Sequence, residues 1–283
     1  MADNAGRVAI VTGASAGIGL YTALGLARVG MRVVIVGRDA ARTAAARQFV
    51  TGRVAGAAVE TALADFASLE TVRVLAADLL AQYGRIDVLV NNAGLISPRR
   101  EASADGYELT IAVNHLAPFL LTNLLLHRLR ASAPARIVTV ASTAHRGADL
   151  DPVTMIEPPA WSPLSAYGRS KLANILFTRG LARRLDPARV AAACLHPGVI
   201  ATDIGNRAGA LAGLGWRLAK LFIPGPDKGA ATSVFLATVA DPTPFHGAYL
   251  VGRSIAEPDP AACDDALAEK LWAESARLVG LAH

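Results

Sequence analysis

The chain has 283 residues, 53% of them hydrophobic, 18% charged and 5% aromatic, with a formal net charge of +5. That length suits one large α/β domain, or at most two small ones, with a core that needs no metal or disulfide. The composition excludes intrinsic disorder, collagen-like repeats and a disulfide-stapled secreted module.

The first apolar run, Val8–Val11, is short and β-branched, and it leads into Thr12-Gly13-Ala14-Ser15-Ala16-Gly17-Ile18-Gly19 and a helical pattern over 17–29. A tight turn of this kind brings backbone N–H groups and a helix N-terminus up to a pyrophosphate with no side chain in the way. The spacing is G-x3-G-x-G rather than the usual G-x-G-x-x-G, and glycines also serve ordinary turns. The position between first strand and first helix favours nucleotide binding. The second run, Val33–Val36, ends in Gly37-Arg38-Asp39 ahead of a helical stretch at 39–48. An acid at that strand end would hold the ribose hydroxyls of NAD; Arg38 instead suits a 2′-phosphate, while Asp39 suits a helix N-cap.

A weaker strand signal at Val59–Leu63 precedes a helix near 68–83. The next run, Ile86–Val90, ends in Asn91-Asn92-Ala93-Gly94, small residues that permit close cofactor approach, and Asn114 lies inside the long helical stretch 104–130. Ser142 follows the run Ile137–Val140, and His196-Pro197-Gly198 follows Val190–Leu195. A seventh run at Ala248–Val251 and helical stretches at 166–185, 226–239 and 260–278 complete the pattern. Strands apolar on both faces and alternating with helices imply a Rossmann-type, doubly wound, mainly parallel seven-stranded sheet with helices on both faces. Residues 1–283 read as a single domain. The stretches 143–165 and 199–225 break the rhythm after strand ends and read as insertions that wall a substrate pocket.

In Tyr167-Gly168-Arg169-Ser170-Lys171 the phenol and the ammonium stand one helical turn apart on one face. A phenol titrating near 10 is a poor general base at neutral pH, and a neighbouring ammonium is expected to lower that value. Pairs at this spacing are common by chance. Their weight comes from Ser142, Asn91–Gly94 and His196–Gly198 at successive strand C-termini, the edge where ligands bind in open α/β sheets.

Other readings of the chain weigh less. The basic residues are dispersed, with Arg99-Arg100 and Arg183-Arg184 the densest pairs, so no nucleic-acid partner is expected. The apolar stretch Leu116–Leu126 is short and interrupted by Pro118, Thr122 and Asn123, so no membrane insertion is expected. The first strand starts at Val8, leaving no room for a signal peptide. Cys194 and Cys263 form neither a CxxC nor a metal-ligand cluster, so no metal is expected and a cytoplasmic, reducing setting is.

Over essentially its whole length the sequence resembles the short-chain dehydrogenase/reductase family. The match rests on Thr12-Gly13-x3-Gly17-x-Gly19, Asn91-Asn92-Ala93-Gly94, Asn114, Ser142, Tyr167-x3-Lys171 and Pro197-Gly198. Within the family it is similar to the retinol dehydrogenase-type branch, through Val36–Asp39, Asp65-Phe66-Ala67-Ser68, Asn114-His115-Leu116, Ala144-His145 and Ser170–Asn174. The resemblance implies that Tyr167 is the acid in carbonyl reduction and the base in alcohol oxidation. It makes Lys171 the residue that lowers the phenol's pKa and holds the nicotinamide ribose, Ser142 the group that orients the substrate oxygen, and Asn114 the anchor of a water. It implies cofactor contacts at Gly13, Ser15, Gly17, Ile18, Gly19, Arg38, Asp65, Asn91, Asn92, Ala93, Gly94, Tyr167, Lys171, Pro197, Gly198, Val199 and Thr202. The function expected is an NADP(H)-dependent alcohol dehydrogenase or carbonyl reductase acting on a fairly apolar small molecule, with NAD(H) the less favoured cofactor; a homo-oligomer is compatible with it. The hydrophobic N-terminal anchor of many vertebrate retinol dehydrogenases is missing, which argues against membrane-borne retinoid. The alternative, an NADP(H)-binding sensor or scaffold without turnover, leaves the Tyr167–Lys171–Ser142–Asn114 set without a task.

Overall fold

A computed structural model describes residues 4–198 and 225–281 of the chain. The elements follow in the order β1 (Val8–Thr12), α1 (Gly17–Arg28), β2 (Arg32–Gly37), α2 (Ala40–Thr51), β3 (Val59–Leu63), α3 (Leu69–Gln82) and β4 (Val88–Asn91). Helix α4 (Leu109–Ala131), β5 (Ala135–Val140), α5 (Pro163–Ala182), β6 (Val190–His196), α6 (Pro226–Thr238), β7 (Tyr249–Val251), β8 (Ser254–Ile255) and α7 (Asp265–Leu278) complete the described chain.

The strands form one sheet in the order β3-β2-β1-β4-β5-β6-β7-β8. Every pairing through β7 is parallel, with Val11 level with Ile35 on one side and Val90 on the other. The chain winds outward from β1 to β3 and then crosses back to β4, so the order reverses between β1 and β4. That reversal opens a crevice at the strand C-termini.

Alternation along the strands builds two cores. Val8, Ile10, Val34 and Leu89 face the layer of α3, α4 and α5; Ala9, Val11, Val33 and Val88 face the layer of α1, α2 and α6. The expected seven-stranded sheet has eight strands. The extra one is the two-residue β8, which turns back through Gly252 and Arg253, both at positive φ, and pairs antiparallel with β7. Two residues carry no periodicity to read.

Three helix starts also move. Helix α4 begins at Leu109 rather than 104, because Glu108 accepts the Ile111 N–H at 2.8 Å and caps it. Helix α5 begins at Pro163 rather than 166, with Ser162 and Ser165 forming a reciprocal capping box and proline at the first position, where it has no hydrogen bond to lose. The stretch 260–278 is a 3-10 turn (Pro260–Cys263) followed by α7, restarted by the Asp264 cap.

Helix α4 is long and apolar enough to cross a membrane by length and composition, but 78% of its most apolar window is buried inside the protein. It carries a π-helical segment at Ala112–Leu116, and the widened turn holds Asn114 and His115. Helix α7 lies over α4 and α5. Trp272 packs edge-on to Phe119 with centroids 5.0 Å apart and stacks on Phe177 at 5.9 Å. Arg184 covers the outer face of the same indole at 4.1 Å.

Candidate active site

The crevice at the switch point contains two adjoining hollows that share Gly13 and Gly94. The first, about 760 Å³ of empty space, is lined by Ser15, Gly37, Arg38, Ala64, Asp65, Ala93 and Leu95 among others. The second, about 840 Å³, runs past Gly17, Ile18, Gly19 and Arg42 to Val140, Ala141, Tyr167, Lys171 and Pro197. A single trough therefore joins the end of β2 to the Tyr167–Lys171 pair.

The glycine turn is clamped to the end of β4. Thr12 accepts the N–H groups of Asn92 and Ala93 at 3.0 Å each, and its hydroxyl donates to the Val90 carbonyl. The Asn92 amide donates to the carbonyls of Thr12 and Gly13 at 2.8 and 3.2 Å. Gly13 has φ +64, and a Cβ there would sit 2.7 Å from the Ala93 Cα; at Gly19 it would sit 2.4 Å from the Asn92 amide nitrogen. No side chain larger than hydrogen fits between the two segments. Helix α1 receives no side-chain cap at Ala16, so its first N–H groups remain available to a phosphate in the trough.

Asn91 and Asn92 part company because neighbours on a strand face opposite ways. Asn91 is buried with its amide donating to Thr122 of α4 at 2.9 Å, so it ties β4 to α4, whereas Asn92 braces the turn.

At the far end of the first hollow, Arg38 is exposed and Asp39 is turned away, its carboxylate accepting the Arg42 N–H at 2.8 Å as the cap of α2. Gly37 allows this end to close: a Cβ would meet the Thr43 hydroxyl at 2.3 Å and Ser15 at 3.2 Å. Arg42 was not expected in the site. The cap sets it one turn beyond Arg38, and the sequence offered only that spacing as a signal. Asp65 lines the same hollow and accepts the Ala67 N–H at 3.0 Å.

The second hollow holds the titratable pair. Lys171 is buried, and its ammonium donates to the Val140 carbonyl at 3.0 Å and lies 5.4 Å from the Tyr167 ring centroid. Burial pulls the Lys171 pKa down to about 8. The Tyr167 phenol is pushed up from its ordinary value by burial, against a hydrogen bond from Ser142 that draws it down. Burial is the larger influence on the phenol, and Ser142 is the opposing one. Ser142 is half-buried and accepts the Ala144 N–H at 3.2 Å. Gly168 brings α5 within reach of this turn, since a Cβ there would lie 2.7 Å from the Ala144 carbonyl oxygen.

Asn114 is fully buried in the π turn and accepts the Leu95 N–H at 2.8 Å. Its amide donates to the Leu95 carbonyl and to Ser170, both at 2.9 Å, so one lone pair of its Oδ1 is left for a further partner. A π turn at such a position is a recurring mark of functional sites. Gly94 keeps the space between Asn114 and Lys171 clear, at 3.3 and 3.6 Å from a hypothetical Cβ.

Pro197 lines the trough and Gly198 has φ +92; Val199 and Thr202, with nearly all of the 199–225 stretch, lie outside the described residues. In the other stretch, 143–165, Leu150 and Met155 join the core and Trp161 donates to Glu108 at 3.2 Å. None of its residues is among those that line the two hollows.

The trough suits a dinucleotide. It is long, has a bare backbone turn and a helix N-terminus at its middle, a guanidinium at one end and a phenol at the other. Human retinol dehydrogenase 13 is 39% identical to the chain, over 98% of this chain and 85% of its own length. Human dehydrogenase/reductase SDR family member 13 is 41% identical, over 99% of this chain and 75% of its own. A crystal structure from Beutenbergia cavernae with bound NADP at low occupancy superposes with a TM-score of 0.69 at 30% identity, covering 88% of this chain and 95% of that one. The short chain dehydrogenase family matches residues 7–213, the span that contains the glycine turn, Asn114, Ser142, Tyr167 and Lys171. The chain belongs to that family, and it is an oxidoreductase acting on alcohol or carbonyl groups.

Proposed function

We propose that the protein transfers hydride between NADP(H) and the alcohol or carbonyl carbon of a fairly apolar small molecule. One observation carries the reading: the proton-bearing Tyr167 and the glycine turn line the same hollow, so a proton donor and a phosphate cradle serve one bound molecule. The nicotinamide, when bound, supplies or accepts the hydride.

The chain's own residues handle position and protons. Tyr167, kept protonated by burial, gives its phenolic proton to a carbonyl oxygen in reduction and takes it back in oxidation. Ser142 orients that oxygen, its own oxygen held by the Ala144 N–H. Lys171, anchored on Val140, places a positive charge beside the Tyr167 ring, where it would hold the nicotinamide ribose. Asn114 fixes the π turn against Leu95 and has a spare lone pair that would hold a water linking Lys171 to solvent.

Arg38 at a strand end that carries no acid supports NADP(H) over NAD(H), as does the NADP held by the Beutenbergia cavernae relative. The naming of a close relative as a retinol dehydrogenase supports an apolar substrate. The setting we propose is cytoplasmic, with no nucleic-acid partner and no membrane insertion.

The test is a panel of aldehydes, ketones and alcohols followed by NADPH absorbance, with Tyr167→Phe in parallel. Turnover by the wild type that disappears in Tyr167→Phe, with NADPH affinity within about twofold, is the expected outcome. Turnover that survives Tyr167→Phe refutes the assignment.

A further inference from the structure

The turn that carries Ser142 is held from behind by a histidine the chemistry above does not use. His145 closes the 3-10 turn Thr143–His145 and is fully buried. Its Nδ1 lies 2.6 Å from the Ser142 carbonyl oxygen, and its Nε2 lies 3.0 Å from the backbone nitrogen of Asp259. A carbonyl can only accept and a backbone N–H can only donate, so the two contacts fix one tautomer: proton on Nδ1, lone pair on Nε2. The ring is neutral, and burial lowers its pKa in the same sense. Tyr249 packs edge-on against it at 5.1 Å.

Around this ring the turn is knitted to a segment far along the chain. Gly147 donates to the Asp259 carboxylate at 3.1 Å, and Arg146 donates to the Glu257 carbonyl at 2.7 Å. On the other side, Thr143 donates to His196 Nδ1 at 3.4 Å. Residues 257–259 lie beyond the span matched by the family, yet through one imidazole they reach the peptide of Ser142.

We propose that His145 is a positioning residue for Ser142, a neutral Nδ1–H imidazole that locks the serine's peptide to the segment at Asp259 and so aims the serine hydroxyl at the substrate oxygen. The inference rests on the role given to Ser142 under the proposed function. His145 lines neither hollow and acts only through the serine.

Two experiments on the full chain test it. In 15N-histidine-labelled protein, assigned by the signal lost in His145→Phe or, failing that, His145→Asn, the His145 ring is expected to show the Nδ1–H tautomer, neutral at pH 7. An Nε2–H tautomer or a charged ring overturns the proposal. The second compares kcat, KM and NADPH Kd on the best carbonyl substrate, with Ser142→Ala as reference. His145→Phe keeps an aromatic ring and loses both hydrogen bonds, and is expected to lower kcat by about 10–100-fold with Kd within twofold. His145→Asn, whose amide can replace the Nδ1 donor, is expected to recover most of that loss.

Should His145→Phe fail to fold, Asp259 supplies a second pair. Residue 259 has φ −62, which proline adopts, so Asp259→Pro removes the backbone donor that Asp259→Ala keeps. The proline variant is expected to lose a further threefold or more in kcat. Full kcat in His145→Phe, or equal kcat in the two Asp259 variants, beside an inactive Ser142→Ala overturns this proposal alone. Full activity in Ser142→Ala overturns it together with the reading of the site.

Discussion

Replacing Gly168 by alanine separates the local preference of a helix from the geometry of the site. The new Cβ would stand 2.7 Å from the Ala144 carbonyl oxygen, where a carbon–oxygen contact relaxes at about 3.3 Å. Both partners are backbone, one in α5 beside Tyr167 and one in the turn that begins at Ser142, so about 0.6 Å must come from their separation. Overpacking of this kind costs about 1–3 kcal/mol, against about 1 kcal/mol gained by alanine over glycine inside a helix. A net loss near 1 kcal/mol lowers Tm by about 2–4 °C in a chain of this size. A 1 Å misplacement costs about a hundredfold in rate, so the shift between phenol and serine is expected to lower kcat about tenfold. NADPH affinity should be untouched, because Gly168 is not among the residues lining the trough. Thermal unfolding and steady-state kinetics decide the matter. A raised Tm with unchanged kcat would show that the helix and the turn part without strain, and the argument from close approach would fail.

Arg38→Ala should weaken NADPH binding about tenfold or more while leaving NADH nearly unchanged, as read by titration with each cofactor; equal losses would remove the 2′-phosphate from the argument. The kcat/KM for cofactor should fall as pH rises through about 8, where buried Lys171 gives up the proton that makes it cationic, and a profile flat to pH 10 would contradict that. Trp272→Ala removes the side chain that fills the gap between Phe119, Phe177 and Arg184 and should cost about 3 kcal/mol of stability; calorimetry showing less than 1 kcal/mol would mean that α7 is not held by this ring.

The central strands were legible because the physics that buries them is local. Val33–Val36 and Ile137–Val140 need apolar residues on both faces, and a run of β-branched residues says so without help from the rest of the chain. The helix starts were less so. Pro163 read as part of a proline-rich loop, because the Ser162–Ser165 capping box that makes it a first-turn residue depends on side chains finding each other. Strand β8 was invisible, since a two-residue pairing comes from the turn at Gly252-Arg253 and not from any period. In the site, the residues to which the proposed function gives a chemical task were readable from type and spacing: Tyr167, Lys171, Ser142 and the glycine turn. The bracing residues were not. Asn91 and Asn92 look equivalent in a string, and only the strand's alternation sends one amide to α4 and the other to the turn. His145 could be read as a loop histidine already satisfied, but its partner at Asp259 lies 114 residues away.

The same burial acts in opposite senses on the two groups that matter most. It disfavours charge, so it raises the phenol and lowers the ammonium. The pair is consequently poised with Tyr167 protonated and Lys171 charged only below about pH 8. That state donates a proton, which is what carbonyl reduction asks of it. Alcohol oxidation needs the phenolate, and the hydrogen bond with Ser142 acts in that direction. Under the proposed function, the balance between the two directions at Tyr167 is therefore expected to depend on how firmly the serine hydroxyl is aimed. That hydroxyl is set by one turn of chain, packed by Gly168 on one side and pinned through His145 on the other. On that reading, a tyrosine that is harder to ionise than usual makes its proton chemistry sensitive to the serine's placement as well as to the lysine's charge.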